Sequence, residues 1–273
     1  MKNFLIVVVI MSCAFYFFTR QSPDKIEVLV IGSECDYVPN NWEEDDPSDS
    51  NVPLSNKKGS YADGYDIQIA KLVAKKMGVR LEVKKIDWQD LLPALNRREI
   101  DAVFSGMLDT DERKEQAAFT IPYEVKKTEY TLLMNKASKY SNGRTLNDFA
   151  GAVIIAQVGT NLDAAVNQIP GVVHAEPVET ASLMIEKLVA NEVDGIVIDL
   201  DSGRSYERRY NNLVQIIFPQ DQGFKVGYTG VCAAVRKRDA NLKDAINNAI
   251  DDISVRERRR IFDRVISTNF RNF

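Results

Sequence analysis

Residues 100–123 read IDAVFSGMLDTDERKEQAAFTIPY, and no other stretch restricts the fold as much. The apolar run at 100–104 has the length of a buried strand in a parallel sheet and is too short for an independent helix. Ser105 and Gly106 then let the backbone turn and come close to a neighbour. Thr110 is placed as an N-cap, and Asp111 and Glu112 put acids into the first turn of the helix that it opens. Arg113 is therefore held on a helix start beside a strand end. Its planar guanidinium matches a carboxylate through two parallel hydrogen bonds, a placement suited to capturing a small acid. An exposed Arg113 paired with Asp109 or Glu112 satisfies the same spacing.

The surrounding chain supplies the sheet that this stretch needs. Residues 26–32 (IEVLVIG) read as a first buried strand, and Glu34 and Tyr37 follow in the turn beyond it. Ligands of α/β sheets sit beyond the carboxyl ends of strands, so that turn is a candidate site. A helix is predicted from Asp63 through Met77, with Gly78 just past its end, then a strand at 79–86 and a second helix opened by Asp87 and Trp88. Together with the strand at 100–104 this gives βαβαβ and a parallel sheet. Between them, residues 42–62 carry Glu43, Glu44, Asp45, Asp46 and Asp49 without the Gly and terminal Glu of a calcium loop, and read as a solvated surface insertion.

A second series follows. Strands are predicted at 128–136, 152–157, 172–177, 195–199 and 213–218, with helices from Leu162 and at 180–190. Residues 227–235 read as a long strand, and 241–252 and 256–266 as closing helices. Val158-Gly159-Thr160-Asn161 turns a strand into a helix start, where free N–H groups suit an anion, although an ordinary strand-to-helix turn has the same sequence.

Length and composition bound the remainder. A chain of 273 residues, 45% hydrophobic, fills two modest domains. A net charge of -4 and a pI near 5.3 provide no field for nucleic acid. The apolar run at 4–18 between Lys2 and Arg20 has the profile of an export signal. Residues 10–13 (IMSC) resemble a relaxed lipobox, so Cys13 lipidation, an uncleaved anchor and cleavage near Arg20 all remain open; each places the protein in the periplasm or on the outer face of the cytoplasmic membrane. Cys35 and Cys232 sit in strand-like apolar surroundings and are expected to stay unpaired. His174 is the single histidine, and no cluster has metal-ligand spacing, so neither a metal nor a cofactor is expected.

With these pieces in view, the chain resembles the family 3 extracellular solute-binding proteins, the polar amino-acid receptors of ABC importers. The resemblance covers about residues 26–270. It rests on Gly64-Tyr65-Asp66-Ile67 with Ile69-Ala70, Leu92-Pro93-Ala94-Leu95, and Asp101-Ala102-Val103 with Ser105-Gly106. It continues through Thr110, Glu112-Arg113, Phe119, Pro122-Tyr123, residues 157–160, Asp194-Gly195 and Asp199.

The resemblance implies a two-lobed, type II periplasmic-binding-protein (Venus-flytrap) α/β fold. Each lobe would be a mainly parallel sheet flanked by helices. Residues 1–25 would form the signal or lipoprotein anchor and tether, 26–127 plus 226–273 the first lobe and 128–225 the second. Hinge strands would lie around Tyr130 and Thr229. Carried over position by position, Arg113 would clamp the ligand α-carboxylate with Thr160 and the N–H of Asn161. Asp199 would receive the α-ammonium, with the carbonyl of Gly106 beside it and Ser105 in the same turn. Tyr37 and Trp88 would wall the side chain, Glu34 would read its distal end and Gln157 would touch it. Leu108 departs from the pattern: it stands where the family usually has Ser or Thr, whose hydroxyl supports the carboxylate.

The function implied is capture of a polar amino acid by lobe closure for ABC import, with permease subunits as partners and a monomeric receptor. Glu34 favours arginine, lysine, ornithine or histidine as the ligand, with glutamine and glutamate as the alternatives, and Tyr37 and Trp88 add cation–π contact. An amino-acid-sensing receptor and a dehydratase-like enzyme share this fold. The lack of an encoded effector lowers the first, and the lack of a His/Cys nucleophile set lowers the second.

Overall fold

A computed structural model describes residues 26–124, 129–219, 221–227 and 230–269. The segment 1–25 with Cys13, the lobe boundary expected at 127/128 and the hinge strand expected around Thr229 lie outside the described residues.

The strands are β1 (Val28–Ser33), β2 (Asp36–Tyr37), β3 (Asn41–Glu44), β4 (Val52–Pro53), β5 (Tyr61–Asp63), β6 (Arg80–Lys85), β7 (Ala102–Val103), β8 (Ala118–Phe119), β9 (Tyr130–Asn135), β10 (Val153–Ile155), β11 (Val173–His174), β12 (Gly195–Asp199), β13 (Leu213–Ile216) and β14 (Ala234–Val235). The helices are α1 (Tyr65–Met77), α2 (Leu91–Asn96), α3 (Asp111–Lys114), α4 (Asn161–Val166), α5 (Ala181–Val189), α6 (Leu200–Arg209), α7 (Ala240–Asp251) and α8 (Val255–Asn269).

Two five-stranded sheets, ordered β6-β1-β7-β14-β8 and β11-β10-β12-β9-β13, each nucleate one lobe. In the first, β1 runs parallel to β6 and β7, while β14 enters antiparallel between β7 and β8. In the second, β10 runs parallel to β11 and β12, and β9 runs antiparallel to β12 and β13. In each sheet four strands therefore share one direction and only the fourth in order, β14 or β9, runs against them, so both sheets are mainly parallel as expected.

The local chemistry explains the elements. Helix α1 begins at Gly64, carries Asp66 in its first turn, and stops at Gly78, which is left-handed and bonds back to the carbonyl of Lys75. Its face of Ile67, Ile69, Ala70 and Val73 is buried in the first core with Leu29, Ile31 and Val83. Removal of each large aliphatic from water contributes roughly 1.5–3 kcal/mol. The second core gathers Leu132, Leu133, Ile154, Ile196 and Ile198 around Phe149. Arg236, just past β14, donates to the Leu95 carbonyl at 3.3 Å and meets Asp101 at 3.0 Å, tying the late strand to the early half of its sheet.

The stretch at 42–62 is solvated as expected at 45–49 and 55–59, but it is built on a sheet of its own. Strands β2, β3, β5 and β4 form a four-stranded antiparallel sheet in that order, and Asn51, Leu54 and Ser60 are buried. Of the acids that made it read as surface, Glu43 and Glu44 have partners within the fold, while Asp45, Asp46 and Asp49 stay exposed. Glu43 meets Lys85 at 2.6 Å, Asp63 accepts from Gly64 N–H at 2.7 Å, and Glu44 accepts from the Trp42 indole at 3.0 Å. Residues 227–235 also differ from the expected long strand: among the described ones only Ala234–Val235 pair in the sheet. Cys35 and Cys232 are both buried and unpaired.

Candidate functional site

The site is assembled where strand ends from both lobes face each other. Glu34 directly follows β1, and its backbone N–H donates to Ser105 Oγ at 3.0 Å, so the ends of β1 and β7 are held side by side. Cys35 takes φ 53, which turns the chain out of β1 and into β2. Gly106 takes φ 63 and lies under the Tyr37 ring, where a Cβ would stand 3.7 Å from ring carbon Cδ1. The Asp66 carboxylate holds the Gly106 N–H from below and accepts from Asn41 at 2.8 Å and from Tyr123 at 2.7 Å. Burial pushes Asp66 up to about 6 despite these donors.

Thr110 caps α3 by accepting from the Arg113 N–H at 3.2 Å, as its spacing predicts. Arg113 is buried, and its guanidinium donates to the Leu108 carbonyl at 3.0 Å and, across the lobes, to the Gly159 carbonyl at 3.3 Å. It stacks 4.9 Å from the centre of the Trp88 ring, and the Trp88 indole N–H donates to the same Gly159 carbonyl at 3.1 Å.

The second lobe answers with two helix starts. Thr160 caps α4 by accepting from Asp163 N–H at 3.3 Å, and its hydroxyl donates to the Gln157 carbonyl at 2.7 Å. Asp199 caps α6: one oxygen accepts from the N–H groups of Asp201 and Ser202, each at 3.0 Å, and the other accepts from the Tyr37 hydroxyl. Burial raises Asp199 above the usual carboxylate range and, with the adjacent Asp199 charge, holds Tyr37 far above that of a free phenol. Gln157 donates to the Glu179 carbonyl at 3.0 Å and to Glu34. Glu34 is pushed up to about 8, chiefly by burial, with the Gln157 bond opposing and the Asp36 charge adding to it.

One cavity of about 160 Å³ opens between these groups. Glu34, Tyr37, Trp88, Ser105, Gly106, Leu108, Arg113, Gln157, Thr160, Asn161 and Asp199 all line it, so the structure brings the eleven positions expected around the ligand to one place. Sequence reading missed Asn40, Glu124, Glu129, Leu162, Leu200, Asp201 and Val231 in the same wall. The acid at Asp201, two residues after a strand that ends in Asp199, was the available signal for one of them. The acidic residues of the lining are Glu34, Glu124, Glu129, Asp199 and Asp201, and its one basic residue is Arg113. Leu108 and Val231 form an isolated antiparallel bridge outside the named strands, and both line the cavity as apolar residues. Such a cleft can hold a small solute with one carboxylate and more than one cationic group.

Two α/β lobes with convergent polar groups in the gap define a solute-binding protein. Residues 29–266 match the family described as bacterial extracellular solute-binding proteins, family 3, and the chain belongs to that family. The arginine-binding extracellular protein ArtP of Bacillus subtilis is 25% identical over 228 residues, covering 82% of this chain and 80% of the relative. A probable histidine-binding protein of Campylobacter jejuni is 27% identical over 202 residues, 73% of this chain and 75% of that protein. Among solved structures, an amino-acid ABC transporter substrate-binding protein from Streptococcus pneumoniae bound to L-arginine superposes with TM-score 0.75 at 19% identity, over 89% of this chain and 96% of that one. An ancestral arginine-binding protein bound to arginine gives TM-score 0.71 at 25% identity, covering 90% and 99%.

Proposed function

We propose that this protein captures an amino acid with a cationic side chain and delivers it to the permease of an ABC importer. The observation that carries the reading is the composition of the cleft: five acidic residues and a single basic one, Arg113, line one cavity. Arg113 takes the α-carboxylate together with the start of α4, Asp199 takes the α-ammonium, and Glu34 takes the distal cation. Tyr37 and Trp88 supply the ring faces between them. Relatives named for arginine and histidine binding support the same class of ligand. Because Arg113 and Glu34 stand on one lobe and Asp199 and the α4 start on the other, the ligand stabilises the closed form by its differential contacts.

The lobes divide at about 127/128 and 225/226, the binding cycle involves no covalent step, and the receptor works as a monomer. Export places it outside the cytoplasmic membrane, with residues 1–25 as signal or anchor. Among the described residues no helix is long and apolar enough to cross a membrane. A thermal-shift screen over the natural amino acids tests the reading, since a ligand at 100 times its Kd adds about 2.7 kcal/mol to stability. Shifts from arginine, lysine, ornithine or histidine are expected; a shift from acidic or aliphatic amino acids alone would overturn it.

A further inference from the structure

Four cross-lobe contacts involve cavity residues: Glu34 with Gln157, Tyr37 with Asp199, and Trp88 and Arg113 with the Gly159 carbonyl. A further one does not. The Asp36 carboxylate reaches the second lobe, where Ser182 N–H donates to Oδ2 at 2.9 Å and Ser182 Oγ donates to Oδ1. Neither Asp36 nor Ser182 lines the cavity.

Both ends of this contact are built. Ser182 lies in the first turn of α5, where N–H groups have no intrahelical acceptor. The cap Thr180 satisfies the Leu183 N–H, so the Ser182 N–H points outward and meets an acid at the positive end of the helix. On the other side, Asp36 stands opposite Trp42 in the small antiparallel sheet, and β3 pairs in turn with β5. Buried Asn41 and Asp63 seat that sheet on the first lobe. The acidic stretch is therefore the platform that extends Asp36 and Tyr37 towards the second lobe.

We propose that Asp36 and Ser182 form a latch that sets the affinity for every ligand by holding the lobes closed, without touching the ligand. The inference rests on lobe closure being the binding step. They are positioning residues. Apparent affinity is intrinsic affinity scaled by the fraction of chain in the competent form, so loosening the latch weakens all ligands by one factor. Substitutions in the cavity wall, by contrast, change the order among ligands.

The test uses the full chain as wild type, Asp36→Ala, Ser182→Ala and the double variant, titrated calorimetrically with L-arginine, L-lysine and L-histidine. Asp36→Ala is expected to raise each Kd by about three- to tenfold, the range of one or two solvent-touched hydrogen bonds, with the ligand order kept. The double variant should be no weaker than Asp36→Ala, because both changes remove one contact. Without ligand, acrylamide should quench Trp88 more readily in the variants, as its indole leaves Gly159; Trp42 is common to all four proteins. Each Kd within about twofold of wild type, or an altered ligand order, would overturn the latch. Ser182 is exposed, so Ser182→Ala keeps the test open if Asp36→Ala does not fold. Should none of the three amino acids bind the wild type, the functional reading fails by itself, and the quenching comparison still decides the latch.

Discussion

Glu34→Gln replaces a buried carboxylate by a neutral group of the same shape, and the consequence can be worked from its surroundings. With the lobes together Glu34 is buried and its carboxyl is pushed from 4.5 up to about 8. The folded chain therefore keeps a proton that the unfolded chain has already released, and stability falls as pH rises through this window. The slope approaches 1.4 kcal/mol per pH unit, so raising the pH from 6 to 8 should cost roughly 2 kcal/mol. For a chain of this size that is a fall in Tm of about 4–8 °C. Asp66, pushed up to about 6, has given most of its contribution below this range. Glu34→Gln removes the slope and keeps an acceptor for the Gln157 amide.

Ligand binding should carry the opposite sign. A cationic side chain takes Glu34 as the carboxylate, so binding at pH 7 releases close to one proton, and the affinity for L-arginine rises by about tenfold per pH unit below 8. Calorimetry in buffers of different ionisation enthalpy reads the proton directly, and scanning calorimetry at pH 6, 7 and 8 reads the stability. Parallel pH slopes in wild type and Glu34→Gln would refute the reasoning, because some other group would then be carrying the proton.

Three further outcomes are expected. Arg113→Ala should abolish the thermal shift caused by L-arginine while the ligand-free chain still melts cooperatively; a retained shift would remove Arg113 from the site. Tyr123→Phe withdraws the 2.7 Å hydroxyl donor from buried Asp66, which should cost roughly 1.5–3 kcal/mol in urea unfolding, and an unchanged midpoint would show that water replaces it. Gly64→Ala places a Cβ 2.4 Å from the Asn40 carbonyl oxygen at φ 121, so the chain should lose more than about 3 kcal/mol; near-native stability would mean that the Asn40–Asn41 backbone yields.

The strand at Gly195–Asp199 was legible because four buried apolar positions end in an acid, and α1 because its apolar spacing stops at Gly78. Arg113 was legible for the same reason, as the Thr110 cap fixes where the helix begins. The antiparallel sheet that carries Asp36 and Tyr37 was not. Its strands are two to four residues long, and its acids meet partners distant in sequence, such as Glu43 with Lys85. Glu124 and Glu129 were overlooked because nothing local distinguishes an acid beside a cleft from one on the open surface. Their placement depends on how two lobes meet, which one-dimensional spacing does not encode.

The position of β14 between β7 and β8 has a consequence for biogenesis. All strands of the second lobe's sheet have been synthesised once the chain reaches Ile216, whereas the first lobe lacks its bridging strand until Val235 has emerged. The sheet of the half bearing Glu34, Trp88 and Arg113 is thus completed last along the chain although it is begun first, so the binding cleft requires residues from nearly the whole length of the polypeptide.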